Sequence, residues 1–151
     1  MKEYLKATAT GATEVVPIDQ YASLPALSGG LMAITADTVL TAADSGKTIL
    51  LDAIGEIITL PAVATSAGVK YKFLGTAAVA ASDWTIVAAT NVIFGSAQVA
   101  GAVVAADTEN TITLVVAKFL KGDWVTLESD GTNWYVEGSV VTSAGCTFTA
   151  P

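Results

Sequence analysis

The sequence predicts an all-β protein: a β-sandwich or jelly-roll-like barrel of short antiparallel strands, preceded by an extended N-terminal arm. Three observations predict it. From Leu31 onward, short runs rich in Val, Ile and Thr recur between turn residues at the spacing typical of sandwiches and barrels. The stretch from Lys118 to Gly138 encodes a hairpin, with Ser129-Asp130-Gly131-Thr132-Asn133 turning between two aromatic and β-branched runs, because glycine tolerates the positive φ that tight turns require. The Ala-rich pieces, Ala62–Ala67 and Thr76–Ser82, are short and interrupted by Gly, Ser or Thr, so they read as loops with one helical turn near Pro61–Ser66.

Residues 1–30 form the lead-in. They mix charged and small residues with Pro17, Pro25 and Gly29-Gly30 and sustain no period of 3.6 or 2, which predicts an extended arm or loosely packed lead-in with a short strand at Glu14–Ile18, or equally an ordinary first strand and loop. The β-rich domain then occupies residues 31–151. Its expected strands are Leu31–Thr35, Thr38–Thr41, Thr48–Asp52, Glu56–Leu60, Val69–Leu74 and Trp84–Ala88, followed by Val92–Phe94, Ala97–Val104, Thr111–Val116, Asp123–Glu128, Asn133–Glu137 and Cys146–Thr149. Turn residues separate them, among them Asp44-Ser45-Gly46, Ser66-Ala67-Gly68, Asp107–Asn110 and Asp130-Gly131. Ser82-Asp83-Trp84 and Gly122-Asp123-Trp124 echo one another, each placing Asp and Trp at a strand start.

Composition narrows the function. The 151 residues suffice for one compact core without disulfides or metals. A hydrophobic fraction of 52% against only 14% charged residues implies that part of the apolar surface meets another chain. The longest apolar run, Val99–Ala106, falls far short of the ~20 residues a membrane helix needs, and the Lys- and Glu-bearing N-terminus lacks a signal-peptide apolar region, so a product made in the cytoplasm is expected. The net charge is −7 and every basic residue is Lys, which argues against nucleic-acid binding. With no His and the single Cys146, neither a His-based nucleophilic triad nor the usual zinc ligand sets can be assembled within the chain.

No catalytic, cofactor or metal site is expected. Ser45-Gly46-Lys47-Thr48 has the tail of a phosphate-binding loop, but Thr41 stands where its first glycine belongs, so the segment reads as a turn. Glu128–Asn133 lacks the spaced acids of a calcium loop. Cys146 reads as a small buried hydrophobe. Trp84, Trp124, Trp134, Tyr71 and Tyr135 read as core and inter-strand packing residues. Alternation in the hairpin places Trp124, Thr126 and Glu128 on one face and Val125 and Leu127 on the other, which leaves one tryptophan outside the core as the alternative, with Trp124 and Trp134 as the candidates for a partner interface or sugar stacking.

Taken in order, the segments Leu40–Thr48, Ile58–Pro61, Gly68–Phe73, Asp83–Ile86, Gly122–Val125 and Ser129–Val136 resemble the head decoration (cement) proteins and related fibre-type structural domains of tailed bacteriophages. The resemblance covers roughly residues 38 to 138. It implies a homotrimer on the outside of an icosahedral virion, bound to the major capsid protein and bracing neighbouring capsomers, with neither membrane nor nucleic acid as a partner. In that setting the arm is the candidate capsid contact, through Tyr4, Leu5, Val15, Val16 and Ile18, adding a strand to an exposed sheet edge. The alternative within the same resemblance is a trimeric tail-fibre or receptor-binding module that recognises host glycans through its aromatics.

Overall fold

The computed structural model describes residues 30–151 in full and, before them, the backbone of two strands. Those strands, β1 (Glu3–Ala7) and β2 (Thr13–Pro17), pair antiparallel, Glu3 opposite Pro17 and Ala7 opposite Thr13. The strand expected at Glu14–Ile18 is therefore present one residue earlier, and it belongs to a hairpin that the aperiodic sequence did not announce.

The domain is all-β. Its strands are β3 (Leu31–Ala33), β4 (Thr38–Val39), β5 (Thr48–Leu51), β6 (Ile57–Thr59), β7 (Lys70–Gly75) and β8 (Trp84–Val87), then β9 (Ile93–Val99), β10 (Ala102–Glu109), β11 (Thr111–Leu114), β12 (Trp124–Ser129), β13 (Trp134–Val140) and β14 (Cys146–Thr149). Short 3₁₀ turns at Ala42–Asp44 and Val63–Thr65 interrupt the links, the second inside the segment where a helical turn was expected. Two sheets result, one in the order β10-β9-β13-β12-β7-β5-β3 and one in the order β14-β11-β8-β6-β4. They pack against each other as a sandwich over a common core.

The pairing is mixed, which corrects the expectation of antiparallel strands throughout. From β3 to β8 the chain steps from one sheet to the other and back, so β3, β5 and β7 run parallel in the larger sheet while β4, β6 and β8 run parallel in the smaller. Parallel neighbours need a crossover connection. Here the crossover is a strand of the opposite sheet, so this half of the domain is a flattened coil. The second half is built largely from antiparallel pairs, β9 with β10, β12 with β13 and β7, and β11 with β8 and β14.

The run Ala97–Val104, expected as one strand, is broken at Ala100 (φ 52°) and Gly101 (φ 80°) into the β9–β10 hairpin, since a two-residue turn of this hand needs positive φ at both central residues. Nor is Asp107–Asn110 a simple turn. Strand β10 continues to Glu109 through a bulge at Thr108 (φ 68°).

Alternation decides what is buried. In β12, Val125 and Leu127 face inward, and in β13, Trp134 and Val136 do. They join Tyr71 and Phe73 of β7, Ile49 and Leu51 of β5, and Trp84, Ile86, Ile112 and Leu114 from the smaller sheet. Each fully buried side chain of this size contributes roughly 1.5–3 kcal/mol through removal from water. Tyr71 and Trp134 stack at 5.7 Å, and the Tyr71 hydroxyl donates to the Thr41 carbonyl at 2.7 Å, fastening the link between β4 and β5 to the core. Burial, with Asp44 adding to it, pushes the Tyr71 hydroxyl up to about 12.

Candidate functional site

The sandwich presents two outer faces that differ in chemistry: the larger sheet is charged at its centre and carries exposed Leu31 and Val103 on its flanking strands, and the smaller sheet has uncharged strand rows. On the larger sheet the outward positions of β7, β12 and β13 carry Lys70, Lys72, Trp124, Thr126, Glu128, Tyr135 and Glu137. Register sets Glu128 between Lys70 and Tyr135, and Thr126 between Lys72 and Glu137. Lys70 and Glu128 pair at 2.9 Å, while the Lys72 ammonium lies 5.6 Å from the centre of the Trp124 ring, at cation–π distance. A shallow cleft of about 370 Å³ opens beside them, with Gly46, Lys47 and Thr126 in its walls.

Lys47 is committed elsewhere. Its ammonium holds Asp44 at 2.7 Å, and the other Asp44 oxygen accepts from the Thr41 amide (2.9 Å) and hydroxyl (2.7 Å), which closes the first 3₁₀ turn. The Lys47 bond, aided by Thr41 and opposed by partial burial, holds the Asp44 carboxyl below its usual range. Gly46 sits at φ 82° in this turn, so the phosphate-loop tail is the turn that its missing first glycine indicated.

The smaller sheet's outer face is different. Ladder register aligns Thr147, Thr113, Thr85 and Ile57 in one row across β14, β11, β8 and β6. A second row runs Thr149, Thr111, Val87, Thr59 and Val39, ending on the edge strand β4. Neither row contains a charged residue. Val39 (68% exposed) and Ile57 (47% exposed) make the β4–β6 end apolar. Asp37, Glu56 and Asp83 stand just before β4, β6 and β8, so the acids ring one end of the face without entering it. Desolvation, reinforced by Asp37 and then Asp52, raises the Glu56 carboxyl above its ordinary value.

The aromatics expected on the surface divide. Trp124 is half-buried on the charged face, as alternation required. Trp134 is a correction: it is fully buried, because hairpin register places it opposite Ser129, on the inward side shared by Leu127 and Val136. Its indole nitrogen has no hydrogen-bond partner among the described residues. Tyr135, expected in the core, takes the outward position instead, 45% exposed, and its hydroxyl donates to Asp130 at 3.0 Å.

Of the arm residues, Tyr4 and Leu5 fall in β1, at positions opposite Val16 and Val15 of β2, so register brings four of the candidates together. Ile18 lies outside the described residues. Cys146 is buried as expected, and desolvation pushes its thiol up to about 12, which leaves almost no reactive thiolate at neutral pH. Among the described residues no group of three or more His, Cys, Asp or Glu side chains is placed to hold a metal, and no helix is long and apolar enough to cross a membrane.

The threonine rows were missed by sequence reasoning. Alternation in Thr111-Ile112-Thr113 and Thr147-Phe148-Thr149 carried the signal, but only the register between strands turns those pairs into a face. No protein-family model and no curated protein matches this sequence.

Proposed function

We propose that this chain is a capsid decoration protein of a tailed bacteriophage, binding the outside of the head as a homotrimer and bracing contacts between capsomers. The observation that carries the reading is the contrast between the charged centre of the larger sheet's outer face, on β7, β12 and β13, and the uncharged, partly apolar rows on the smaller sheet. A plate with two unlike surfaces suits a protein whose work is to be layered between copies and a shell. The resemblance supports it: Gly68–Phe73, Gly122–Val125 and Ser129–Val136, far apart in sequence, fall largely on the adjacent strands β7, β12 and β13. Binding in many copies multiplies small contacts, since each additional capsomer engaged by one trimer is met at high effective concentration. The arm, with Tyr4, Leu5, Val15 and Val16, is the proposed capsid contact.

The test is to add purified protein to expanded, undecorated heads. Saturable binding at lattice positions, abolished by deleting residues 1–25 while the domain keeps its fold, is the expected result. Full binding by the truncated chain removes the arm from the mechanism, and absence of binding by the intact chain ends the decoration reading. A tail-fibre or receptor-binding module is the second reading, favoured by the half-buried Trp124 beside Lys72 on the charged face. Binding to host cells rather than heads supports it.

A further inference from the structure

We infer that the threonine face of the smaller sheet is the surface through which copies of this chain meet one another around a symmetry axis. This rests on the assembling-copies reading above, and adds to it which residues lie on the axis. The argument is one of symmetry. Where identical chains close around an axis, a residue near that axis meets its own counterpart, so a charged side chain there would oppose an identical charge. Like charges placed directly opposite are destabilising, whereas Thr against Thr and β-branched against β-branched side chains pair favourably. The residues beside the axis are therefore best uncharged and compatible with themselves, and a face without charge satisfies this wherever the axis passes.

The rows of Thr147, Thr113 and Thr85 and of Thr111 and Val87 meet that condition across β14, β11 and β8. The opposite face, with Lys70, Lys72, Glu128 and Glu137, does not. A surface made for a different protein is under no such constraint and ordinarily uses charge for steering and register. Net charge points the same way. At −7, two copies repel at a distance, and they approach most cheaply through the side that carries none of that charge.

The sign of the salt dependence follows. Added salt screens the repulsion between copies, and the acids before β4, β6 and β8 at the end of the face are screened with it, so assembly strengthens from low to high ionic strength. A contact with an oppositely charged partner would weaken instead.

The experiment is light scattering on the full chain at neutral pH, at low and high salt, for the wild type, Thr113→Asp, Thr85→Asp and Glu137→Lys. The wild type is expected to sediment and scatter as an oligomer, more completely at high salt. Thr113→Asp and Thr85→Asp are expected to be monomers with unchanged far-UV spectra, and Glu137→Lys, on the other face, to assemble like the wild type. Thr113→Cys supplies a second readout, because positions that face their own counterparts form a covalent dimer on mild oxidation, and buried Cys146 does not compete. A monomeric wild type overturns the inference. So does an oligomer that survives Thr113→Asp and gives no cross-link through Thr113→Cys. Failure of the decoration reading is a separate outcome: an oligomer that obeys all these expectations yet ignores capsids ends that reading and leaves the face standing.

Discussion

Asp123 is the acid on which the closing hairpin hangs, and replacing it should cost several kcal/mol. It is 2% exposed just before β12, and its two carboxylate oxygens accept from the Leu120 amide at 2.8 Å and the Val141 amide at 3.0 Å. One side chain thus ties the loop entering β12 to the chain leaving β13. A hydrogen bond to a charged group is worth about 1.5–3 kcal/mol, so losing both in Asp123→Ala should cost roughly 3–6 kcal/mol, toward the lower end because Val141 is exposed and water can replace its bond. Asp123→Asn keeps one acceptor and turns an amide donor toward the other N–H, so it should cost roughly half as much or somewhat more. Urea unfolding at neutral pH measures both. With an m-value of about 2 kcal/mol/M for a domain of this size, the Asp123→Ala midpoint should fall by roughly 2 M. If both variants unfold within about 0.5 kcal/mol of the wild type, the carboxylate is not the tie described here.

Three further expectations are open to simple measurement. Gly131→Val should lower the melting temperature, with a cost of about 1–3 kcal/mol, because Gly131 sits at φ 92° and an added Cβ would come within 3.0 Å of the Ala67 Cβ; an unchanged melting curve would contradict the turn geometry. Trp134→Ala should cost about 3–5 kcal/mol from the core, whereas Trp124→Ala should cost far less and leave the fold intact, a contrast that denaturant titration of the pair resolves. Asp44→Asn should destabilise at neutral pH by about 1 kcal/mol and lose its effect in acid. The sign is set by the lowered folded-state carboxyl: its contribution is present above the unfolded value and disappears as pH falls through the folded one, so wild type and variant should converge in acid melts.

Local chemistry was the legible part of this sequence. The turn at Asp130-Gly131 could be read because its bonds are made within a few residues: Asp130 accepts from the Thr132 and Asn133 amides, each at 2.7 Å, and these bonds hold its carboxyl low. The echo of Asp83-Trp84 and Asp123-Trp124 also has a physical account. Asp83 accepts from the Val116 amide at 2.6 Å, as Asp123 does from Leu120 and Val141, so each acid clamps a distant backbone while the Trp after it begins a strand. What depends on pairing was not legible. Nothing in Leu31–Ala33 or Thr48–Leu51 says that they lie parallel, because that follows from where the intervening strand β4 crosses to the other sheet. Ala100 at positive φ leaves no compositional mark, so the β9–β10 turn was hidden inside an apolar run. The phase of Trp134 against Tyr135 was ambiguous for the same reason: both suit a strand, and only the partner Ser129 fixes which one faces inward.

The coil of β3 to β8 accounts for the rows on the smaller sheet. In a flattened coil, residues from successive turns fall side by side, so Thr85 comes beside Ile57 and Val87 beside Thr59, and one residue type chosen at each turn becomes a row. Antiparallel β11 and β14 then extend those rows with Thr113 and Thr147, Thr111 and Thr149. Threonine favours strands, carries no charge and covers the sheet with methyl and hydroxyl together, so the face remains wettable on a free chain and can still be buried against its counterparts. A leucine row would bury more apolar area but leave the unassembled chain prone to aggregation. A lysine row would keep it soluble and forbid closure around an axis. The composition of this face is thus the compromise expected of a surface that must spend time in water before it is covered.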